Sequence, residues 1–588
     1  MHVRRIVAAG VAATLALGVA ACGGSDKGSS GSSGGTAATG AAPGEGKKGG
    51  TLTVLSAGDV DYVDPGQLYY VFSFMINSAV NRGLYQYKPG DTAKPTPDIA
   101  TGPPEISADR KTVTVRMKPG IRFAPPVNRE VTSKDIKYAF ERAFTANVPS
   151  GYASVYFGDL VGAPRSPGKF EHIPGIQTPD DHTVVFKLTK PSAVLVSQAL
   201  AMPISTPVPE EYARKFDANS PSTYDQHVAF TGPYMIRNDA SGKLVGRVPG
   251  KSIDLVRNPN WNAKTDFRPA YLDEIKVEEG NDDATVSSRR ILNGSHLAQG
   301  DGAPPATIIK QASQRNKGQL ALVPGGQYRM VAMNTKIKPF DDINVRKAVL
   351  AVFDRQAMQL TRGGSAVGDI ATHFIPPDFP GFEEAGGAKG TGVDYLANPS
   401  GDPKLAAEYM KKAGYPSGRY TGSEKLLMVA TNADPGKKSA EVAQAQFEKL
   451  GFKLNFRIVP QDTLYTKFCN RPKAAVAICP NVGWVKDFND PQAMLDPVFN
   501  GKNILPVNNS NWSQLNDPEI NAAMAKAAAL DPGPERNKAW GEIDKMVVDQ
   551  APAVPWFWDK QPLVESKDVR GVANEYNTSW DLAFTSLK

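Results

Sequence analysis

Cysteine and histidine are scarce in this sequence, and neither residue type is clustered. The 588 residues contain three cysteines and six histidines. Structural zinc sites need several closely spaced Cys or His ligands, so the sequence predicts no metal site and no cofactor. A Gly-x-x-x-x-Gly-Lys-Ser/Thr loop is also absent, so the chain is not expected to hydrolyse ATP. These absences argue against metal-dependent and ATP-hydrolysing enzymes.

A strong excess of either charge is missing as well. The chain has 67 Lys and Arg residues and 60 Asp and Glu residues, which gives a net charge of +7. A charge this weak, spread over this length, does not predict binding to nucleic acid. The hydrophobic fraction of 41% is ordinary for a globular chain. A chain of this length is expected to form two or three domains.

The N-terminus has an uncharged run that is too short to cross a membrane. Residues 6–21 carry no charge and follow Arg4 and Arg5. A membrane-spanning helix needs roughly 20 apolar residues. A basic head, a short apolar body and small residues before a cleavage point are typical of a signal peptide. Residues 1–21 are therefore predicted to direct export and then to be removed.

The residues that close this run, Val19-Ala20-Ala21-Cys22, resemble the lipobox of bacterial lipoproteins. This resemblance implies cleavage before Cys22, acylation of Cys22 and attachment to the outer face of a membrane. The alternative is a soluble secreted protein with a chance cysteine. Residues 22–49 are mostly Gly, Ser, Ala and Thr without apolar periodicity. Such a segment buries too little surface to become ordered, so a flexible linker is predicted.

The two remaining cysteines, Cys469 and Cys479, are ten residues apart. In an oxidising compartment two thiols tend to pair, so a disulfide is predicted as possible. The spacing permits a hairpin that would join them but does not require one.

Strand and helix patterns alternate after residue 49. Residues 50–58 (GTLTVLSAG) predict a first strand, and residues 111–123 predict a hairpin because apolar residues alternate on both sides of a Pro-Gly turn. Residues 131–144 predict a helix, which Thr132 and Asp135 would begin as a capping box. No repeat period suggests a solenoid or a propeller. The pattern predicts a mixed α/β protein.

Five blocks, taken in order, resemble family 5 of the extracellular solute-binding proteins, the peptide and nickel receptors of ABC importers. These blocks are "MKPGIRFAPPVNREVTSKDIKYAFERAF", "FTGPYMI", "IDLVRNPNWN", "MNTKIKPFDDINVRKAVLAVFDR" and "GWVKDFNDPQAML". The resemblance implies a periplasmic-binding-protein-like clam-shell with an extra domain and mixed sheets flanked by helices. Two chain crossings would let its lobes close on a ligand.

The resemblance also implies three domains. Lobe one, or domain I, would combine residues 50–84, 230–330 and 547–588. Domain II, residues 85–229, would elaborate lobe one. Lobe two, or domain III, would span residues 331–546.

The last block carries the main site prediction. In peptide-binding members of this family, the aspartate of a Gly-Trp-x-x-Asp motif binds the α-ammonium of the peptide, and Asp487 matches that position beside Gly483 and Trp484. A desolvated ammonium needs a charged acceptor, and Trp484 would supply an apolar wall with cation–π attraction. Tyr69 and Tyr70 are candidate cleft walls. The alternative is that Asp487 caps a loop and the aromatic residues are core.

The carboxylate end of the ligand is predicted less directly. Dipeptide receptors of the family carry an arginine where this chain has Thr431 and Asn432. The resemblance therefore implies a preference for oligopeptides over dipeptides, with Thr431 and Asn432 as ligand contacts. Lys437 or Lys438 would be an alternative contact for a carboxylate.

The resulting hypothesis is a monomeric, non-enzymatic receptor anchored outside the cytoplasm. It would capture a peptide and deliver it to an ABC permease with its ATPase subunits. One alternative is a receptor for an oligosaccharide, a metal chelate or an opine-like compound. A surface hydrolase that uses Asp487 and Asp490 is more remote, because glycosidase carboxylates flank the sugar and these two aspartates lie three residues apart.

Overall fold

Three hydrophobic cores organise residues 40–588, the part of the chain that the computed structural model describes. Each core contains its own β-sheet and helices, so the predicted mixed α/β class is confirmed. The predicted signal peptide (residues 1–21) and the predicted lipidation site Cys22 lie outside the described residues. Within the described part of the chain, no helix is both long enough and apolar enough to cross a membrane.

The first core is built on a mixed six-stranded sheet. The predicted first strand is present as Thr51–Leu55, and it pairs in parallel with Glu274–Glu278 and with Leu297–Gln299. Leu52 and Val54 point into the core because alternate residues of a strand face the same side. The other strands of this sheet are Ser252–Arg257, Tyr234–Ile236 and Arg247–Val248.

Helix Val71–Val80 packs on this sheet through a single face. Phe72, Met75, Ile76 and Ala79 are all buried in the first core. Their spacing follows the period of an α-helix, which gathers apolar side chains into one stripe. Two more helices of this region, Ala284–Asn293 and Ala306–Arg315, place their buried side chains in the third core instead.

The second core contains a four-stranded antiparallel sheet in the order Glu105–Ile106, Thr112–Arg116, Thr183–Lys187 and Ile176–Asp180. The predicted hairpin over residues 111–123 is wrong, because Thr112–Arg116 pairs with Thr183–Lys187, far along the chain. A separate hairpin joins Tyr85–Lys88 to Asp91–Pro97. The helices of this region are Ser133–Ala143, Ala153–Phe157, Ala193–Ala199 and Glu210–Asp217.

The predicted capping box at the start of helix Ser133–Ala143 is present. The Asp135 carboxylate accepts a hydrogen bond from the Thr132 backbone N–H at 2.7 Å. This bond satisfies a donor that would otherwise have no partner at the start of the helix.

The third core surrounds a second six-stranded sheet. Its order is Gly368–Asp369, Ala553–Asp559, Gln327–Met333, Ile478–Val485, Lys425–Thr431 and Lys453–Val459. Its helices are Ile343–Val352, Arg355–Thr361, Pro403–Lys412, Gly436–Lys449, Gln461–Thr463, Gln492–Phe499, Pro518–Ala528 and Pro534–Asp549. Cys469 and Cys479 form a disulfide within this core, with their Cα atoms 6.3 Å apart.

Strand Ala553–Asp559 lies in a different part of the molecule from the one implied by the domain boundary expected at residue 547. The boundary placed this strand in lobe one, but it pairs with Gln327–Met333 in the sheet of the third core. All seven of its residues are buried, which suits a strand with neighbours on both sides. The chain returns to the first core only after this strand.

The C-terminal tail closes the first core. Gln561–Val564 pairs with Leu320–Val323, and Trp580 and Leu582 are buried in the first core. The other short ladders of the tail join Val569–Arg570 to Ser586–Leu587 and Ala573–Asn574 to Ser579–Trp580.

The described end of the predicted linker, residues 40–49, contacts this tail. Ala41 donates a backbone hydrogen bond to Gly571 at 2.9 Å. The Tyr271 hydroxyl donates to the Gly44 carbonyl at 2.8 Å. The prediction of a flexible linker is therefore wrong for residues 40–49, because their backbone groups find partners on the folded body.

Arg142 joins the first and second cores through buried ion pairs. Its guanidinium donates to Asp64 at 2.7 and 2.8 Å and to Asp217 at 2.7 and 2.8 Å. The Arg142 side chain is 1% exposed and that of Asp64 is fully buried. A guanidinium can satisfy two carboxylates in this way because its donors lie in a rigid plane.

We expect Arg142→Ala to lower the free energy of unfolding by about 3–5 kcal/mol, because it leaves the buried Asp64 and the largely buried Asp217 without a positively charged partner. The control is Arg214→Ala, which removes an exposed pair with Glu210 and should cost less than about 0.5 kcal/mol. Urea unfolding at pH 7 measures both values. Equal losses in the two variants would contradict this role for Arg142.

Candidate functional site

A cavity of about 210 Å³ lies between the first and third cores. The first-core side contributes residues from 61–75, 300–303 and 561–579. The third-core side contributes residues from 327–329 and 431–512, together with Arg362. Because residues of both cores form its walls, the shape of the cavity depends on the relative position of the two cores.

Asp487 lies where all three cores meet. It follows strand Ile478–Val485, which ends at the cavity. The Asp487 carboxylate accepts a hydrogen bond from the Tyr69 hydroxyl at 2.8 Å and another from the Tyr156 hydroxyl. Tyr69 precedes helix Val71–Val80, and Tyr156 lies in helix Ala153–Phe157 of the second core. One carboxylate therefore connects the three parts of the molecule.

This carboxylate has no basic partner within the described residues. Asp487 is 4% exposed, and burial raises its pKa to about 7, although hydrogen bonds from Tyr156 and Tyr69 partly offset the rise. The neighbouring Lys486 ammonium instead donates to the carbonyls of Gly325 and Glu575 at 2.9 and 3.0 Å. A buried acid without a counter-ion is suited to receive a cation, because a positive charge stabilises its ionised form.

Aromatic rings form a continuous wall along the cavity. The ring centroids of Tyr69 and Trp484 are 5.5 Å apart, and those of Trp484 and Trp512 are 6.0 Å apart. The wall continues from Trp512 to Tyr465 at 6.1 Å and from Tyr465 to Tyr70 at 6.3 Å. The Trp484 indole N–H donates to the Ala493 carbonyl at 2.7 Å, which fixes this ring in place.

Asp61 holds the two tyrosines of this wall in position. Its carboxylate accepts backbone hydrogen bonds from Tyr69 at 2.8 Å and Tyr70 at 3.0 Å, and one from the Ser73 hydroxyl at 2.6 Å. Burial raises the pKa of Asp61 to about 6 against these hydrogen bonds. The turn before the helix is therefore organised by a side chain that itself lines the cavity.

Most of the predicted site residues line this cavity. They are Tyr69, Tyr70, Thr431, Gly483, Trp484 and Asp487. Trp484 both lines the cavity and packs in the third core. Asn432 lies outside the cavity, and its amide donates to Asp282 at 3.4 Å on the surface. Lys438 pairs with Asp434 at 2.9 Å.

Asp490 has a structural partner. Its carboxylate accepts hydrogen bonds from Arg536 at 2.8 and 2.9 Å. This pair occupies both oxygens of Asp490, so the arrangement does not support the remote hydrolase alternative, which needs Asp487 and Asp490 to act on one substrate.

A charged group that the sequence did not predict lies at another part of the wall. Arg329 and Arg362 both line the cavity. Their Nε atoms lie 2.9 and 3.3 Å from the same carboxylate oxygen of Asp559. A charged residue inside the apolar strand Gln327–Met333 was a signal that could have identified Arg329. Arg362 follows a helix and carried no comparable signal.

No group of three or more His, Cys, Asp or Glu residues among residues 40–588 is arranged to hold a metal ion. The lining of the cavity also contains neither histidine nor cysteine. The chemistry that its residues offer is charge pairing, hydrogen bonding and contact with aromatic rings.

The chain matches a family of known proteins and is similar in sequence to individual members of known function. Residues 94–505 match the family described as "Bacterial extracellular solute-binding proteins, family 5 Middle". Heme-binding protein A of Haemophilus influenzae is 26% identical over 458 residues, which cover 77% of this chain and 77% of that protein. Di/tripeptide-binding protein 3 of Pseudomonas aeruginosa is 24% identical over 467 residues, which cover 77% of this chain and 79% of that protein.

A solved structure shows the same architecture. The structure of clavulanic acid biosynthesis oligopeptide binding protein 2 matches with a TM-score of 0.73 and 26% identity, and covers 94% of this chain and 99% of that chain. The likeness extends over nearly the whole of both chains. The predicted clam-shell fold class is therefore confirmed.

We expect Asp487→Asn to stabilise the ligand-free protein at pH 8 but not at pH 4. The carboxyl has a pKa of about 7 in the folded state, against an ordinary value of 3.8. Between these values the folded state holds a proton that the unfolded state has lost, so the stability of the parent falls as the pH rises from about 4 to about 7. Across this pH range, the parent loses on the order of 4 kcal/mol of unfolding free energy that the Asn variant keeps.

Urea unfolding of the parent and the Asn variant at pH 4, 6 and 8 measures this difference. If the difference in unfolding free energy between the two proteins does not change with pH, the Asp487 carboxyl has an ordinary pKa. That result would contradict the strong desolvation of Asp487.

Proposed function

The chain belongs to family 5 of the bacterial extracellular solute-binding proteins, and from this membership we propose that it captures peptides for an ABC importer. The family consists of solute-binding proteins rather than enzymes. The peptide would bind in the cavity between the first and third cores. The loaded protein would then deliver it to a membrane permease that ATPase subunits drive.

The observation that carries this proposal is the buried Asp487 carboxylate, which has two hydroxyl donors but no basic partner among the described residues. The α-ammonium of a peptide supplies the missing charge. A hydrogen bond to a charged group contributes about 1.5–3 kcal/mol net. The aromatic wall beside it gives the adjacent part of the peptide an apolar surface.

The relatives support a peptide more than another solute. One is named for binding di- and tripeptides and one for binding oligopeptides. A third is named for binding heme, but the cavity of this chain is lined by neither histidine nor cysteine. A ligand with an ammonium group fits the residues present better than a heme.

Closure of two lobes would couple binding to delivery. Tyr69 lies in the segment that leads into helix Val71–Val80 of the first core, Tyr156 lies in the second core, and Asp487 follows a strand of the third core. A ligand that contacts both sides favours the closed form, and only such a difference in affinity can shift the equilibrium between open and closed forms. The lobes would follow the predicted domains, except that strands Gln327–Met333 and Ala553–Asp559 would both belong to lobe two.

The cellular context is also part of the proposal. Export by residues 1–21 and lipidation of Cys22 would place a monomeric receptor outside the cytoplasm, on a membrane. The preference for oligopeptides over dipeptides stays a prediction from the sequence, and Asn432, on which it partly rested, lies outside the cavity.

We expect Asp487→Asn to weaken the binding of peptides with a free N-terminus by about 2–5 kcal/mol, because the ligand ammonium loses its charged acceptor. Peptides with an acetylated N-terminus should bind the parent weakly. They should show little further loss in the variant. Calorimetric titration with matched free and acetylated peptides measures both effects.

The control is Asp91→Asn, which removes an exposed carboxylate from strand Asp91–Pro97 and should leave peptide affinity unchanged. Equal affinity of the parent for free and acetylated peptides would refute the assignment of Asp487 to the ammonium.

A further inference from the structure

The cavity has a second charged group that the proposed ammonium site does not use. Arg329 comes from strand Gln327–Met333, Arg362 follows helix Arg355–Thr361, and Asp559 ends strand Ala553–Asp559. Both arginines lie against one oxygen of Asp559, at 2.9 and 3.3 Å. Two guanidiniums therefore share a single carboxylate.

The arginines keep donors that no described residue accepts. Arg362 is 6% exposed, and its guanidinium meets Asp559 through Nε alone, at 3.3 Å, so its other N–H groups have no acceptor within residues 40–588. Arg329 donates only from Nε, to Asp559. A buried guanidinium normally has its N–H groups satisfied. Because both side chains line the cavity, their remaining N–H groups are available to a ligand.

Asp301 is the other carboxyl group near these arginines. It lines the cavity beside Tyr70, but it forms no ion pair with Arg329 or Arg362 in the part of the chain described. Burial raises the pKa of Asp301, so its carboxyl group is less readily ionised. Burial, followed by the charge of Arg329, lowers the pKa of Arg362 to about 9. Against burial, the charge of Asp559 and its hydrogen bond raise the pKa of Arg329. Arg362 is therefore the arginine whose charge is not fully compensated.

We propose that Arg329 and Arg362 form an anion subsite that binds a carboxylate of the ligand. This inference rests on the proposed function, since it adds the opposite end of a ligand whose ammonium binds Asp487. Planar guanidiniums suit the two oxygens of a carboxylate. The ligand is therefore a zwitterion that lies across the cavity.

The distance between the two charged ends limits the length of the ligand. Arg329 is the partner of Gly483 in the sheet, and Gly483 lies four residues before Asp487 in the chain. Four residues span at most about 14 Å. The aromatic wall runs between the two ends, from Tyr69 beside Asp487 to Tyr465 and Tyr70 near the arginines. At about 3.5 Å per extended residue, this stretch of backbone is as long as about four residues of peptide, so short peptides are the class to test.

Binding of the carboxylate by Arg329 and Arg362 would change the expected length of the peptide. The sequence predicted oligopeptides because Thr431 and Asn432 replace an arginine. If other arginines bind the carboxylate, the missing arginine no longer argues against short peptides. The carboxylate could be the C-terminus of the peptide or the side chain of an Asp or Glu residue.

The test uses equimolar libraries of unmodified di-, tri- and tetrapeptides and the same libraries with amidated C-termini. Native mass spectrometry in competition measures the preference of the full protein for each. We expect the parent to prefer free carboxylates by about tenfold, equivalent to about 1.4 kcal/mol. Arg362→Gln should reduce this preference to about onefold, and Arg362→Lys should restore part of it.

The control Arg419→Gln changes an exposed arginine outside the cavity and should keep the preference of the parent. Melting temperatures of all variants without ligand test whether they fold. If Arg362→Gln does not fold, the preference of the parent for free over amidated peptides decides the question alone. Selective binding of amidated peptides that contain Asp or Glu, lost in Arg362→Gln, would support the subsite and identify the side chain as the source.

Two other outcomes separate the inference from the function. Equal binding of free and amidated peptides, with N-acetylation still abolishing binding, overturns the anion subsite and leaves the proposed function intact. Absence of binding to every unmodified library overturns both.

Discussion

The arrangement of this protein depends on a buried carboxylate that has no positive partner among the described residues. The side chain of Asp487 lies at the junction of the three cores and accepts hydrogen bonds from Tyr69 and Tyr156. Hydroxyl groups are weaker partners for a buried carboxylate than a cation, because they do not cancel its charge. A cationic ligand can therefore replace these contacts with stronger ones. The same desolvation that raises the pKa of Asp487 favours binding of a cation.

Two further acidic side chains order the first-core side of the cavity. Asp64 pairs with Arg142, and Asp61 accepts backbone hydrogen bonds from Tyr69 and Tyr70. These bonds fix the turn before helix Val71–Val80. A site that must distinguish ligands by charge and length needs walls that hold their positions without ligand, since ordering them on binding would reduce affinity. The acids of the turn supply that order in advance.

Opposite charges at the two ends of an aromatic cavity would explain how one cavity can accept different peptide side chains and still select peptides by their charged termini. The aromatic wall from Tyr69 to Tyr70 offers contact that depends little on the identity of a side chain. The proposed charged contacts would instead depend on an ammonium near Asp487 and a carboxylate near Arg362. Selection by the termini of a peptide and tolerance of its side chains suit a receptor that supplies an importer with mixed peptides.

Periodic patterns along the chain predicted the α/β class, a short local pattern predicted the capping box of Thr132 and Asp135, and the resemblance to family 5 implied the position of Asp487 in the cavity. Tertiary structure alone decided that Thr112–Arg116 pairs with Thr183–Lys187, that Tyr156 donates to Asp487, and that Arg329, Arg362 and Asp559 meet at one wall. Residues separated by tens to hundreds of positions meet only when whole sheets pack together. Local periodicity describes which side of an element is buried, but it does not encode which distant side chain will lie opposite.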